Sequence, residues 1–557
     1  MIFFGILRCY HVFGENVLTE KTQRGGRLQA KDKRRLSAII VAGIALIVGF
    51  GAYSIGNTSP SPTITKTVAR PVKFQPNSTV TIGSEVFPVT LDPTANASAA
   101  IDEVIDYNVL QHLVELNPKG SIVPVLATSW SVSQNNSVYT FQIRKGVRFS
   151  NGDPLTAADV VFSMKRVFAS GSTYPYGKLF DVSSVTALGP YSVSVHLTKP
   201  SWEWLFNLAA YSNGVIVDPK TIGQLSSDPI GTGPYKVVSE RNNYSITLTR
   251  NPHYYGPTPR AKSVVFRYFS NPNTEDAALE SGQIQVIDNL GTPSEVSVFK
   301  NSSKYKVITG PTNGKVQLTL NNSYGPLSNV LVRRAIAYAT DKKAVIQVAS
   351  GGYGSPLGSD SVPADPYYLN LANAYPYNPA RAKALLAQAG YSHGFPLTIT
   401  LPPYPYAQLA GPLLASELDA VGIRVKLTNI QWPLWISQVF EGGNFQATII
   451  DHAEARDIGN YGTPGYYWHY NGTPQVAKML SESNSAPTRS QWIKGYRAVL
   501  EKITGAAVND WLYILPQITV TSSTITGVPT SGYSESFNLS YIGVGGRISK
   551  QAQNMGF

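Results

Sequence analysis

Hydrophobic residues are distributed along this chain in three distinct ways. Near the start, Leu36 to Ile55 is an uncharged apolar run, long enough at 1.5 Å per residue to cross a hydrocarbon layer of roughly 30 Å. From Val80 onward the pattern becomes mixed. Segments such as Val138–Ile143, Tyr191–Thr198 and Ile423–Ile430 alternate apolar with polar, as half-buried strands do. Others repeat apolar residues at helical spacing: Val160, Val161, Met164, Val167 and Phe168, then Val332, Ala335, Ile336 and Ala339. Turn chemistry punctuates these segments. Phe141, Ile143 and Val147 to Phe149 predict strand, Asn151-Gly152 turns the chain, and Thr156 with Asp159 has the spacing of a capping box for the next helix. A helix is expected around Asp102 to Leu113. Ser328 and Asp341 are expected N-caps, Asn378-Pro379 opens a helix that Gly390 ends, and a helix from about Ala407 stops at Gly422.

The 557 residues exceed what one core requires, so at least two lobes are expected. Charged residues make up only 14%, against a usual roughly 25%, and Tyr is plentiful at 32, a polar but weakly charged surface that suits an exported protein. The net charge of +12 is concentrated at the start: residues 1–35 carry +5, and Lys66, Arg70 and Lys73 add three, leaving about +4 for the body. No basic stripe with interleaved aromatics occurs, so nucleic acid is not an expected partner. Cys9 is the only cysteine, which excludes an intramolecular disulfide and a multi-cysteine metal site.

Lys31, Lys33, Arg34 and Arg35 immediately precede the apolar run, and Asn57 to Thr65 after it is uncharged. That asymmetry places the N-terminus inside and the rest outside. An uncleaved anchor over 36–56 is the favoured reading. Gly49-Phe50-Gly51 before Ala52 leaves a cleaved signal peptide open. Residues 57–77 are rich in Ser, Thr and Pro and read as a tether.

The stretch Phe141 to Val167, FQIRKGVRFSNGDPLTAADVVFSMKRV, resembles the R-K-G-V-x-F-x-[ND]-G-x-P-L-T-A-x-D-V signature of family 5 extracellular solute-binding proteins, the oligopeptide and dipeptide receptors of ABC importers. GTGPYKVV at 231–238, LVRRAIAYATDKKAVI at 331–346 and YNPARAKALLAQAGY at 377–391 follow in the family's order, so the resemblance spans about 80–540. It implies an α/β type-2 periplasmic-binding-protein fold of two lobes, with an extra inserted subdomain and a cleft between the lobes. Lobe I would comprise 78–115, 229–312 and 516–557, the inserted subdomain 116–228 and lobe II 313–515. Many relatives carry a lipid-anchoring Cys directly after the apolar run; here Cys9 lies upstream of it.

The resemblance also implies a site. Ile449 to Asp457, IIDHAEARD, stands where relatives bind the peptide backbone and its amino terminus, which makes Asp457 the expected ammonium anchor and Ala453 and Ala455 the expected backbone partners. The segment lacks the family's aromatic and its following Asp-Pro, and an Arg456 paired with Asp457 or Glu454, with no ligand role, is the alternative. Trp432 matches a pocket-wall Trp, and Trp435 lies three residues on. Glu85 ends the first strand where relatives place a pocket carboxylate, and Tyr466, Tyr467 and Trp468 form an aromatic run. A half-buried lobe edge or an interlobe salt bridge accounts for the same residues without a ligand. Asp451, His452, Glu454 and Asp457 contain no regular metal spacing, and no metal or other cofactor is expected. No G-x-S-x-G elbow, P-loop or other nucleophile motif appears, so no catalytic residue is assigned. The implied protein is a monomeric receptor that hands a peptide to a membrane permease. An oligosaccharide receptor of the same family and an exported hydrolase are the alternatives.

Overall fold

The computed structural model describes residues 72–557 apart from 97, 134, 169–173 and 175–180, and these form one compact unit from Pro71 to Phe557. The expected leader, the membrane anchor and most of the tether lie outside the described residues. The last residues of the expected tether lie against the body: Gln75 bridges Val544, and Phe74 packs beneath the Arg260 guanidinium at 4.4 Å. Among the described residues no helix is long and apolar enough to cross a membrane.

The main sheet runs in spatial order Ile423–Asn429, Phe395–Leu401, Ala447–His452, Tyr305–Leu320, Asp510–Ser522, Val286–Ile287, Thr79–Ser84, Ser263–Tyr268, Ser245–Arg250 and Tyr235–Arg241, with Ser355–Pro356 beside Asp510–Ser522. The two long strands, Tyr305–Leu320 and Asp510–Ser522, pair antiparallel along most of their length and join its two halves. One half packs a core of Val316, Leu318, Ile336, Leu397 and Leu414; the other packs Val80, Ile82, Val104, Tyr235 and Phe266. A separate antiparallel sheet, in the order Ala127–Val132, Val138–Ile143, Ser192–Leu197 and Val182–Gly189, encloses a third core around Phe141, Phe149, Val160 and Trp204.

Local rules account for most element ends. The capping box forms: the Thr156 N–H donates to Asp159 Oδ2 at 2.7 Å, and the Ala158 N–H to Thr156 Oγ1 at 3.3 Å, at the head of the helix Ala157–Phe168. Asp341 caps Lys342–Ser350 and Asn378 caps Pro379–Gln388. Gly390 and Gly422 adopt the left-handed conformation their helix ends require. Three expectations are corrected. Val147–Phe149 is not a strand, because Gly146 turns at φ 78° and leaves only an isolated Arg148–Pro154 bridge. The helix expected to run to Leu113 is Ala99–Ile105: it stops at Asp106, and Tyr107 follows at φ 64°. Asn329 rather than Ser328 caps Val330–Ala339, its side chain accepting the Leu331 N–H, while Ser328 sits in a preceding 3₁₀ turn.

The GTGPY segment shows why its glycines are needed. Gly233 and Tyr235 donate their N–H groups to Val109 O and Asn108 O, both at 2.9 Å, drawing the backbone hard against residues 108–110. A Cβ on Gly231 would lie 1.9 Å from Val109 O. Gly231→Ala is therefore expected to lower stability by about 1–3 kcal/mol through overpacking, read as a lower urea midpoint. An unchanged midpoint would contradict the close approach.

Candidate functional site

The ladder of the two long strands shifts register twice, and the larger break comes first, before a second shift between Val316 and Gln317. Its register shifts between Pro311 and Lys315, and Pro311 faces Pro516, so neither partner offers a backbone N–H. Thr312, Asn313 and Gly314 form the irregular step, and Lys315 restarts the strand opposite His452, the last residue of Ala447–His452. The chain beyond His452 must then turn sharply. Arg456 does so at φ 55° and delivers Asp457 into a 3₁₀ turn, Asp457–Gly462.

Lys315 is buried beneath this loop. Its Nζ lies 2.8 Å from Asp457 Oδ1 and 3.8 Å from Asp360 Oδ1, and donates to Glu454 O at 2.8 Å and Asn313 O at 3.1 Å. His452 Nδ1 is 3.3 Å from Asp457 Oδ2 and 3.8 Å from Glu454 Oε2, and its Nε2 is 2.8 Å from the Tyr467 hydroxyl. Burial disfavours charge on each of these groups, but the charges compensate one another. Burial of the Asp457 carboxyl is outweighed by Lys315 and His452, which hold its pKa well below the carboxylate range. Burial of Lys315 is outweighed by Asp457 and Asp360, so its pKa rises. Burial of His452 is outweighed by Tyr467 and Asp457, so the imidazole keeps its proton. Asp360 is pushed upward by burial and by Asp457.

Asp457 is thus placed beside the expected ligand loop, with its side chain only 5% exposed and its oxygens engaged by Lys315 and His452. Glu454 has a side chain 39% exposed. Ala453 is exposed, whereas Ala455 is buried and its carbonyl accepts the Tyr211 hydroxyl at 2.7 Å. Arg456 pairs with neither Asp457 nor Glu454. It spans Glu203 Oε1 at 3.4 Å and Asp365 Oδ1 at 3.7 Å, with its guanidinium 3.4 Å from the Phe206 ring centre. Trp202 donates to Ala486 O at 3.0 Å, a second contact from the residues beyond the small sheet.

The aromatic expectations divide. Trp432 is half-buried, edge-on to Tyr404 at 5.2 Å, and Tyr404 stacks on Tyr406 at 5.6 Å. Trp435 stacks on Trp432 from below, is 3% exposed and donates to Thr448 Oγ1 at 3.0 Å, which makes it a core residue. Trp468 is 1% exposed and stacked on Tyr461 at 4.3 Å, also in the core. Their burial leaves Trp432 as the half-exposed member of the three.

Glu85 lines a cavity of about 240 Å³ together with Ser84, Glu103, Asp288, Gln517 and Glu535. Tyr404 lies within electrostatic reach of Glu85, and Glu454 and Asp451 within reach of Glu535. Burial and the neighbouring Asp288 push Glu85 up to about 7; burial and Glu454 do the same to Glu535. Lys315, Glu103, Asp288 and Glu535 were not singled out from the sequence. The one legible signal was Asn313-Gly314 within an otherwise alternating strand, a bulge signature that places Lys315 at its edge. For a metal, His452 Nδ1 and one oxygen each from Glu454 and Asp457 lie within 4.8 Å of one another. The Lys315 ammonium, 2.8 Å from Asp457 Oδ1, already puts positive charge beside these atoms.

Two outcomes follow from this electrostatic arrangement. Lys315→Met leaves Asp457 charged and buried, so a loss of about 3–5 kcal/mol is expected in urea unfolding, with most of it recovered in Lys315→Met/Asp457→Asn. The second concerns pH. Burial raises Glu85, Glu203, Asp451 and Glu535 to about 7 and Glu275 to about 9, so between their ordinary values near 4 and these raised values the native state binds more protons than the unfolded chain. Stability must then fall as pH rises across that window. Asp457 acts oppositely, its contribution being present above about pH 4 and lost below it. A urea midpoint lower at pH 8 than at pH 5 is expected; the reverse would contradict the assignment.

A family profile described as bacterial extracellular solute-binding proteins, family 5, matches residues 121–477. The di/tripeptide-binding protein 2 of Pseudomonas aeruginosa is 26% identical over 465 residues, covering 77% of this chain and 84% of that protein. The glutathione-binding protein GsiB of Escherichia coli is 26% identical over 359 residues, covering 63% of this chain and 69% of that protein. In structure, the periplasmic binding protein DppA of Helicobacter pylori, solved with the peptide STSA, superposes with a TM-score of 0.73 at 22% identity over 84% of this chain and 98% of its own. The fold is the two-lobed α/β type-2 periplasmic-binding-protein fold with its inserted subdomain. On these grounds the chain belongs to the bacterial extracellular solute-binding proteins, family 5.

Proposed function

We propose that this chain is the extracytoplasmic receptor of an ABC importer and takes oligopeptides or dipeptides into the cleft between its lobes. Lobe I is taken as 78–115, 229–312 and 516–557, the inserted subdomain as 116–228 and lobe II as 313–515. The observation that carries the reading is the loop Ala453–Asp457. It presents one half-exposed carboxylate, Glu454, beside an exposed backbone at Ala453, on a base fixed by Lys315 and Asp457. A buried peptide ammonium requires such a carboxylate. Contact between Asp457 and that ammonium would require Lys315 to give up its partner; contact with Glu454 does not. Glu454 is therefore the proposed anchor and Asp457 the residue that positions the loop. Ala453 is the proposed backbone partner, and Trp432 with Tyr404 forms the apolar wall.

Closure would bend the paired long strands at Pro311 and Pro516, and ligand contacts made by both lobes would stabilise the closed form that a permease recognises. Arg456, held between Glu203 and Asp365, supports the same closed arrangement. The receptor is proposed to act as a monomer, held at the membrane by the helix expected over 36–56, with the tether raising its effective concentration at the permease. The stacked Tyr404 and Tyr406 also suit the face of a sugar, and an oligosaccharide is the second reading.

Titration calorimetry with a neutral tripeptide and its N-acetylated form separates these readings. Glu454→Gln is expected to weaken the free tripeptide about tenfold or more, the worth of a charge-assisted hydrogen bond, and to leave the acetylated form within about twofold. Equal loss for both forms would remove Glu454 as the anchor. Binding of a maltooligosaccharide with no binding of either peptide would favour the sugar reading.

A further inference from the structure

The charges around the cleft do not balance. Glu85, Glu103, Asp288 and Glu535 line the 240 Å³ cavity, and among its described lining residues there is no Lys, Arg or His. Glu454 and Asp451 add negative charge within electrostatic reach of Glu535. The cations nearest the loop are already committed: Lys315 to Asp457 and Asp360, Arg456 to Glu203 and Asp365, and His452 to Asp457 and Glu454.

Two further observations bear on the same cavity. Glu85 Oε1 is buried with no hydrogen-bond partner. Phe537 is the aromatic residue of the same lining. Burial, together with Asp288 beside Glu85 and Glu103 and with Glu454 near Glu535, raises the pKa values of these three carboxyls. A cation entering the cavity would favour the ionised carboxylates and give the Glu85 oxygen a partner. One peptide ammonium at Glu454 leaves this wall unused.

We propose that the cleft selects cationic peptides, with a Lys or Arg side chain seated in the cavity formed by Glu85, Glu103, Asp288 and Glu535. This rests on the peptide-receptor reading above and adds a charge preference to it. The amino-terminal ammonium and the side-chain cation occupy opposite walls, Glu454 on the loop and Glu85 with its neighbours on the facing lobe. A peptide carboxylate meets no uncommitted cation among the described lining residues, so the preference is for net positive ligands rather than for zwitterions in general.

The test is titration calorimetry on the full chain with the three tripeptides that carry one Lys among alanines, each paired with its norleucine counterpart, which keeps the apolar stem and removes the charge. The best Lys peptide is expected to bind at least about tenfold more tightly than its norleucine partner. That ratio should shrink at about 0.5 M salt. In Glu85→Gln and Glu535→Gln, checked as folded by their melting curves, the ratio is expected to fall to within about threefold of one. Equal affinity of Lys and norleucine peptides for the unaltered chain leaves the receptor reading standing and overturns the charge preference. An undiminished ratio in both variants overturns the assignment to this cavity. If no tripeptide of either kind binds, the receptor reading itself fails and this inference fails with it. The salt series on the unaltered chain decides the charge preference even if neither variant folds.

Discussion

Everything at the candidate site hangs on one pair of strands. Tyr305–Leu320 and Asp510–Ser522 are the only stretches of chain shared by both halves of the main sheet among the described residues, and their ladder is broken where Pro311 faces Pro516. A sheet interrupted on both strands at the same level has lost its hydrogen-bond stiffness there while keeping its covalent continuity. The break also fixes the chemistry nearby. The residue that resumes the ladder is Lys315, and the register of Lys315 with His452 brings the end of the neighbouring strand, and the loop beyond it, directly over a buried ammonium.

That buried ammonium sets the electrostatic character of the cleft. Lys315 stabilises Asp457 and holds Glu454 by its carbonyl, while Arg456 on the same loop is drawn to Glu203 and Asp365. The loop thereby spends its cations on its own architecture, and what it turns outward is carboxylate. The cavity beside the first strand repeats the pattern with Glu85, Glu103, Asp288 and Glu535. Carboxylates kept partly protonated by burial are costly when ionised alone and attractive to a cation, which is the physical basis of the proposed preference for positively charged ligands. The arrangement makes pH, ligand charge and stability aspects of one property.

The fold was largely legible because its signals are local. The Thr156–Asp159 capping box, Asn378-Pro379, Gly390 and Gly422 each act within a few residues, and each stands where the sequence placed it. The failures share a different cause. Val147–Phe149 looks like strand, yet a strand needs a partner and Gly146 turns it away from one. Leu113 continues the apolar spacing of a helix that ends at Asp106 because Tyr107 and Leu110 pair across a tight loop instead. What the sequence did not show at the candidate site is burial. Asp457, Trp435 and Trp468 were expected to reach a ligand and are buried, and burial is set by distant chain. Lys315 lies 142 positions before Asp457, and nothing within either segment announces that they meet.

The claim at the centre of the account is that a peptide occupies the cleft. Native mass spectrometry of the purified chain, recorded before and after mild unfolding, tests it without presuming a sequence for the ligand. The account predicts release of a ladder of peptide masses enriched in Lys and Arg. Release of masses spaced by hexose units would contradict it.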